Sequence, residues 1–200
     1  MMKVASSEMD PIRGFFKHVC IFDNVKRVIA LDFPHNMLLF GTLLSAKPKN
    51  VLELGVGTGY VTKSILYALA YNRVGTLTSV DCCLDTGGKQ PPLFDELRDM
   101  GADIVISTEK DFTFAQQPGT FDFLVSDADH RGAVHYINKT VEMMAPGSIM
   151  FFHDTNESRF PGLMKVEGKL RGMGINCHQF KECSREDERC YRGWLMAFKG

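Results

Sequence analysis

The stretch NVLELGVGTGY, residues 50–60, decides the fold. Its first half is a short apolar run of the kind that makes a buried strand. Its second half sets Gly55, Gly57 and Gly59 at alternate positions. Glycine permits positive φ and lets a ligand come close to the backbone. The following segment, YVTKSILYALAY (60–71), has a helical pattern, so its first free N–H groups face whatever the turn holds. A strand, a glycine-rich turn and a helix in that order form the opening unit of a parallel α/β sheet.

Working outward, strands and helices alternate. GTLTSVD (75–81), DIVIST (103–108), FDFLVSDAD (121–129) and SIMFFHDT (148–155) read as strands. QPPLFDELRDMG (90–101), AVHYINKTVEMMAPG (133–147) and about 161–172 read as helices, and a last pair of strands falls near 175–181 and 191–198. Runs such as DIVIS and IMFF are apolar on both faces, as buried parallel strands are. The predicted class is α/β: a Rossmann-like, doubly wound, mostly parallel sheet with helices on both faces and an antiparallel C-terminal strand. Residues 1–48 are expected to form an N-terminal helical extension, and 49–200 the ligand-binding domain. In the extension, DFPHN (32–36) interrupts the helical pattern. Pro34 disfavours helix at Phe33, which predicts two short helices, with Asn36 capping the second, MLLFGTLLSA.

Composition narrows the partners. A formal net charge of -1 gives no electrostatic reason for nucleic acid as the main partner. No apolar run is long enough to span a bilayer, and the N-terminus has no apolar core of a signal peptide, so no membrane partner and a cytoplasmic location are expected. Six cysteines in such a protein are expected as free thiols. Cys177, Cys183 and Cys190 with His178 make a loose group that lacks a zinc-site spacing.

In open α/β sheets ligands bind beyond the carboxyl ends of the strands, so the residues that end strands carry the functional reading. The glycine turn departs from the Gly-x-Gly-x-x-Gly of dinucleotide-binding proteins. Asp81, closing the second strand, can accept hydrogen bonds from the ribose hydroxyls of an adenosine cofactor. Ser107 and Asp111 follow the third strand, within reach of an adenine edge. The fourth and fifth strands end in SDADHR and HDTN. Asp127, Asp129, His130, His153, Asp154 and Asn156 would converge above the sheet. Clustered carboxylates repel unless protonated or bridged by a cation, and an oxygen-rich set suits Mg²⁺, while the imidazoles admit Mn²⁺.

VLELGVGTGY, with Glu53 before the glycines, and VD at 80–81 resemble the first two motifs of class I S-adenosylmethionine-dependent methyltransferases. The stretch 121–156 is similar to metal-dependent O-methyltransferases of the catechol and caffeoyl-CoA type, and equally to the cephalosporin-hydroxylase and macrolide-sugar O-methyltransferase branch. The resemblance implies S-adenosylmethionine as cofactor and a divalent cation, Mg²⁺ or Mn²⁺. Gly55, Gly57, Gly59 and Tyr60 would line the methionine and ribose portion. Glu53 would sit near the cofactor's amino-acid end or support the loop, and Asp81 would hold the ribose. Asp127 and Asp154 would be metal ligands, with His153 and Asn156 competing for the third place, since Thr155 stands where the family usually has asparagine. Asp127 would also border the cofactor and act in catalysis. His130 falls where the catechol-type enzymes carry a lysine base, and an imidazole can serve there.

The implied reaction is metal-assisted O-methylation of a small-molecule hydroxyl. Phe33, His35, Phe160 and Trp194 are candidates to frame the acceptor, and a homodimer through the final strands is expected to close the site. Two rival readings are an NAD-dependent oxidoreductase, for which a Tyr-x-x-x-Lys pair is missing, and a non-catalytic, methyltransferase-like nucleoside-binding module.

Overall fold

The computed structural model describes residues 10–23, 33–156, 160–180 and 193–200. Seven strands form one sheet: β1 (Asn50–Leu54), β2 (Thr76–Asp81), β3 (Ala102–Ile106), β4 (Phe121–Ser126), β5 (Met144–His153), β6 (Asn176–Phe180) and β7 (Trp194–Phe198). Their order is β3-β2-β1-β4-β5-β7-β6. The pairs from β3 through β5 are parallel; β7 runs antiparallel to both β5 and β6. The predicted class is therefore the observed one, and its antiparallel strand, β7, lies inside the sheet rather than at its edge. The order reverses between β1 and β4, which opens a crevice at the carboxyl ends of these two strands.

Helices cover both faces. On one lie α1 (Pro11–Asp23), α2 (Phe33–Ala46), α3 (Tyr60–Asn72) and α4 (Leu93–Asp99). Their apolar side chains, among them Phe15, Leu39, Ile65 and Phe94, share a core with Val51, Phe123, Phe151 and Trp194 of the sheet. On the other lie α5 (Glu109–Ala115), α6 (Ala133–Met143) and α7 (Val166–Gly172), which bury Leu52, Leu124, Met150 and Phe152 with Ile137 and Leu170. Alternate residues of β1 and β4 thus enter different cores, so both strands read as unbroken apolar runs.

Three sequence expectations change. Helix α2 begins at Phe33, not after the proline. Proline costs little in a first turn, where its missing N–H would have no helical partner. Asn36 then lies inside the helix, fully buried, and donates to Ser64 Oγ (2.9 Å) rather than capping. The segment after the third strand, which holds Asp111, is helix α5, capped by Thr108, whose hydroxyl accepts from Asp111 N (3.1 Å). Strand β5 starts at Met144, ahead of Pro146, with an irregular register against β4 between Phe121 and Phe123. No helix among the described residues is long and apolar enough to cross a membrane. Cys177 is a buried free thiol beside an exposed His178, while Cys183 and Cys190 lie outside the described residues.

Candidate active site

The glycine turn is locked by its neighbours. Gly55 N donates to Val80 O (2.8 Å) and Asp127 N to Leu54 O (2.9 Å), which ties the ends of β2, β1 and β4 together. Gly55 has φ +93, and a Cβ there would press on Asp127 O (2.7 Å) and Ala128 Cβ (2.6 Å). Gly57 has φ +50 but faces open space, and Gly59 (φ +71) precedes α3 without any side-chain cap. The opening turn of α3 therefore offers backbone donors and the positive end of a helix dipole at the crevice.

Asp81 fastens this turn. Its Oδ2 accepts from Val56 N (2.9 Å) and Gly57 N (3.1 Å), and its Oδ1 from Cys83 N (2.6 Å). A carboxylate has about four acceptor positions, so capacity for one more donor remains. Glu53 is only 1% exposed. Thr62 of α3 donates to both its oxygens and Ser79 of β2 to Oε2 (2.6 Å), which leaves it beneath the turn rather than on the crevice wall. Burial pushes its carboxyl up to about 8, against the pull of those hydroxyls. The Tyr60 ring is also buried, tilted against His18 of α1 at 4.9 Å, and its carbonyl lies 2.9 Å from His18 Nε2. Ser107 follows β3 directly, its N–H bonded to Asp81 O (3.0 Å). Asp111 is exposed and engaged by the Thr108 hydroxyl (2.7 Å) in the first turn of α5.

Across the switch point, the ends of β4 and β5 carry an alternating ring of acids and imidazoles. His153 Nδ1 lies 2.9 Å from Asp127 Oδ1 and 3.4 Å from Asp154 Oδ1. His130 Nε2 lies 3.0 Å from Asp154 Oδ2 and 3.8 Å from Asp127 Oδ1. Burial alone would raise Asp127, but the His153 charge and hydrogen bonds from both imidazoles hold its carboxyl well below the usual range. Burial would lower His130, yet hydrogen bonds and charge from Asp127 and Asp154 push it up to about 9. Asp129 (φ +38) and Asp154 (φ +56) adopt left-handed backbone in this region, a conformation that aspartate tolerates better than most residues. One ligand atom from each of Asp127, His153 and Asp154 falls within 4.8 Å of the others. Two carboxylates and an imidazole so placed fit a divalent cation. Asn156 follows Asp154 by two residues, and its Cβ lies against Gly193, where a side chain on the glycine would press on it.

Two aromatic groups border the ring. Phe160 lies 4.2 Å from the His130 ring. Trp194 is fully buried, stacked on His35 (5.7 Å) and edge-on to His153 (5.5 Å). The Phe33 side chain lies outside what the structure describes. Sequence reasoning missed Gly162, where a Cβ would press on Arg131 O (2.8 Å). It also missed Glu109 and Tyr136, buried beside Asp129.

A strand-end crevice at the point where the strand order reverses, with a glycine turn on one side and an acid–imidazole ring on the other, marks a ligand-binding, Rossmann-like α/β fold. Residues 52–155 match the methyltransferase domain family, described as "Methyltransferase domain", and the chain belongs to that family. This removes the oxidoreductase alternative. Among curated relatives, the caffeoyl-CoA O-methyltransferase of Stellaria longipes is 26% identical over 142 residues, covering 64% of this chain and 58% of that protein. Catechol O-methyltransferase domain-containing protein 1 of Mus musculus is 25% identical over 109 residues, covering 52% and 41%. The chain spans about half the length of the curated relatives it matches. An O-methyltransferase from Bacillus cereus solved with SAH shares the fold at TM-score 0.71 and 13% identity, covering 98% of this chain and 94% of that one. The O-methyltransferase TomG from Streptomyces achromogenes, solved with SAM, gives 0.69 at 16%, covering 99% and 92%.

Proposed function

We propose that the chain transfers a methyl group from S-adenosylmethionine to the hydroxyl oxygen of a small molecule, assisted by a divalent cation. The observation that carries this reading is the meeting, across one crevice, of the open Gly57 turn and the Asp127–His153–Asp154 cluster. The free N–H groups of α3 suit the cofactor's carboxylate, and the remaining acceptor position of Asp81 suits a ribose hydroxyl. Glu53 acts from beneath, keeping α3 and β2 in register with the turn. SAH and SAM in the similar solved structures support the same cofactor here.

Methyl transfer is an in-line displacement with a good leaving group, so the protein's main task is alignment at about 3–3.5 Å. Asp127, Asp154 and His153 would hold the cation, which when bound supplies Lewis acidity and lowers the pKa of a hydroxyl. With its ring protonated, His130 closes the cluster as an ion pair. Once deprotonated, its Nε2 is placed to accept the acceptor's proton. Phe160, beside His130, gives the crevice an apolar flank suited to an organic acceptor, with the His35–Trp194 stack buried behind His153.

Calorimetry with SAH, followed by turnover of S-adenosylmethionine with catechol as probe acceptor in Mn²⁺, Mg²⁺ or EDTA, tests each part. Saturable heat with SAH and turnover lost in EDTA are expected. Absence of heat with both SAM and SAH overturns the cofactor assignment. Binding without methyl transfer to any hydroxyl acceptor favours the non-catalytic module, and turnover indifferent to EDTA removes the cation.

A further inference from the structure

Glu109 and Tyr136, both buried, meet the exposed Asp129 in a polar knot beside the acid–imidazole ring. Glu109 opens α5, Tyr136 stands on α6, and Asp129 occupies the turn between β4 and α6. Tyr136 Oη lies 3.0 Å from Glu109 Oε2 and 3.0 Å from Asp129 Oδ2. A phenol has one proton to donate. With both carboxyls ionised, one would set its lone pairs against those of the phenol oxygen, so one of the two acids carries a proton. Glu109 is 8% exposed and Asp129 is exposed, so the proton belongs on Glu109. Burial pushes Glu109 up to about 8, in agreement with that placement. The knot then has a direction: Glu109 donates to Tyr136, and Tyr136 donates to Asp129.

Asp129 passes this constraint to the site. Its Oδ1 also accepts from Gly132 N (2.8 Å), and its carbonyl accepts from Gly132 N and Ala133 N (both 3.1 Å). A side chain at Gly132 would collide with its carboxylate. The residue is thereby held at φ +38, between Asp127 and His130. Building on the methyltransferase reading, we propose that Glu109 and Tyr136 are positioning residues that act through Asp129 to fix the 127–132 turn and hold His130 against Asp154 and Phe160.

Histidine proton resonances test this without an acceptor or any turnover. The His130 ring lies 4.2 Å from the Phe160 ring and should show a ring-current displacement. Among the six histidines its signals are assigned by their loss in His130→Gln. Tyr136→Phe and Glu109→Leu are each expected to abolish that displacement. Glu109→Gln should preserve it, because its amide N–H replaces the acid O–H. A Tyr136→Phe or Glu109→Leu protein that is folded by circular dichroism and keeps the wild-type His130 signals overturns the proposal. So does a Glu109→Gln shift as large as that of Tyr136→Phe. Should one variant fail to fold, the other decides. SAH calorimetry on the wild type judges the methyltransferase reading separately, since the His130 signals do not depend on it.

Discussion

The two sides of the crevice are built by different means. On the β1–β2 side the backbone does most of the work. Glycines take the left-handed conformations, Asp81 gathers three N–H groups, and the one deeply buried acid, Glu53, is neutralised beneath the turn. On the β4–β5 side, side chains do it. Aspartates take the left-handed conformations, and two carboxylates face two imidazoles within hydrogen-bonding distance. The first arrangement suits a ligand met chiefly through main-chain donors. The second concentrates charge of both signs, an arrangement suited to handling a proton or a cation. The difference teaches that the first side should fail through shape and the second through charge.

The largest test of this contrast is Asp127→Ala combined with Asp154→Ala. Turnover should fall by about 100-fold or more, while SAH calorimetry still shows binding. Equal loss of both would erase the distinction between the two sides. Next comes Gly55→Val, whose side chain would meet Asp127 O and Ala128 at a backbone angle valine rarely adopts. A destabilisation on the order of 3 kcal/mol is expected by denaturant titration, with SAH binding lost as the two sides are pushed apart.

A third test uses pH. Glu53 and Glu109 are both raised from 4.5 to about 8 by burial. Between those values the unfolded chain has released protons that the folded one keeps. Their contribution is therefore complete below about pH 4.5 and is lost as pH rises through about 8. Unfolding free energies from urea titration should fall across that window, by up to about 9 kcal/mol for the two groups together. Glu53→Gln with Glu109→Gln should flatten the curve; an unchanged slope refutes neutral burial. The smallest effect is expected for Gly57→Ala. It meets no atom, so only the left-handed backbone costs, about 1–2 kcal/mol, and any larger loss should appear in SAH affinity.

These two constructions also explain what could be read in the sequence. The glycine turn, Asp81 and the apolar strands are local signals, each carried by a few adjacent residues. The convergence of Asp127, His153 and Asp154 follows from β4 and β5 being neighbours. Helix α5 was hidden because Glu109, Lys110 and Asp111 look like a solvated loop. The available clue was Thr108 three residues ahead of Asp111, a capping pattern. The Glu109–Tyr136–Asp129 knot had no such clue, since its members sit on three elements and meet only through packing. The positions of Asp81 and Glu53 in the motifs point to a ligand, yet their hydrogen bonds to Val56, Gly57, Thr62 and Ser79 depend on distances that spacing alone does not reveal.

The placement of β7 bears on how the chain assembles. It follows β6 in sequence yet lies between β5 and β6, and Trp194 stands opposite His153. On a ribosome, β6 emerges with no strand to pair with, and β5 shows a bare flank until β7 arrives. The wall behind His153 is thus completed only when β7 pairs with β5, and a nascent chain paused before Trp194 carries an open sheet margin vulnerable to association with other chains.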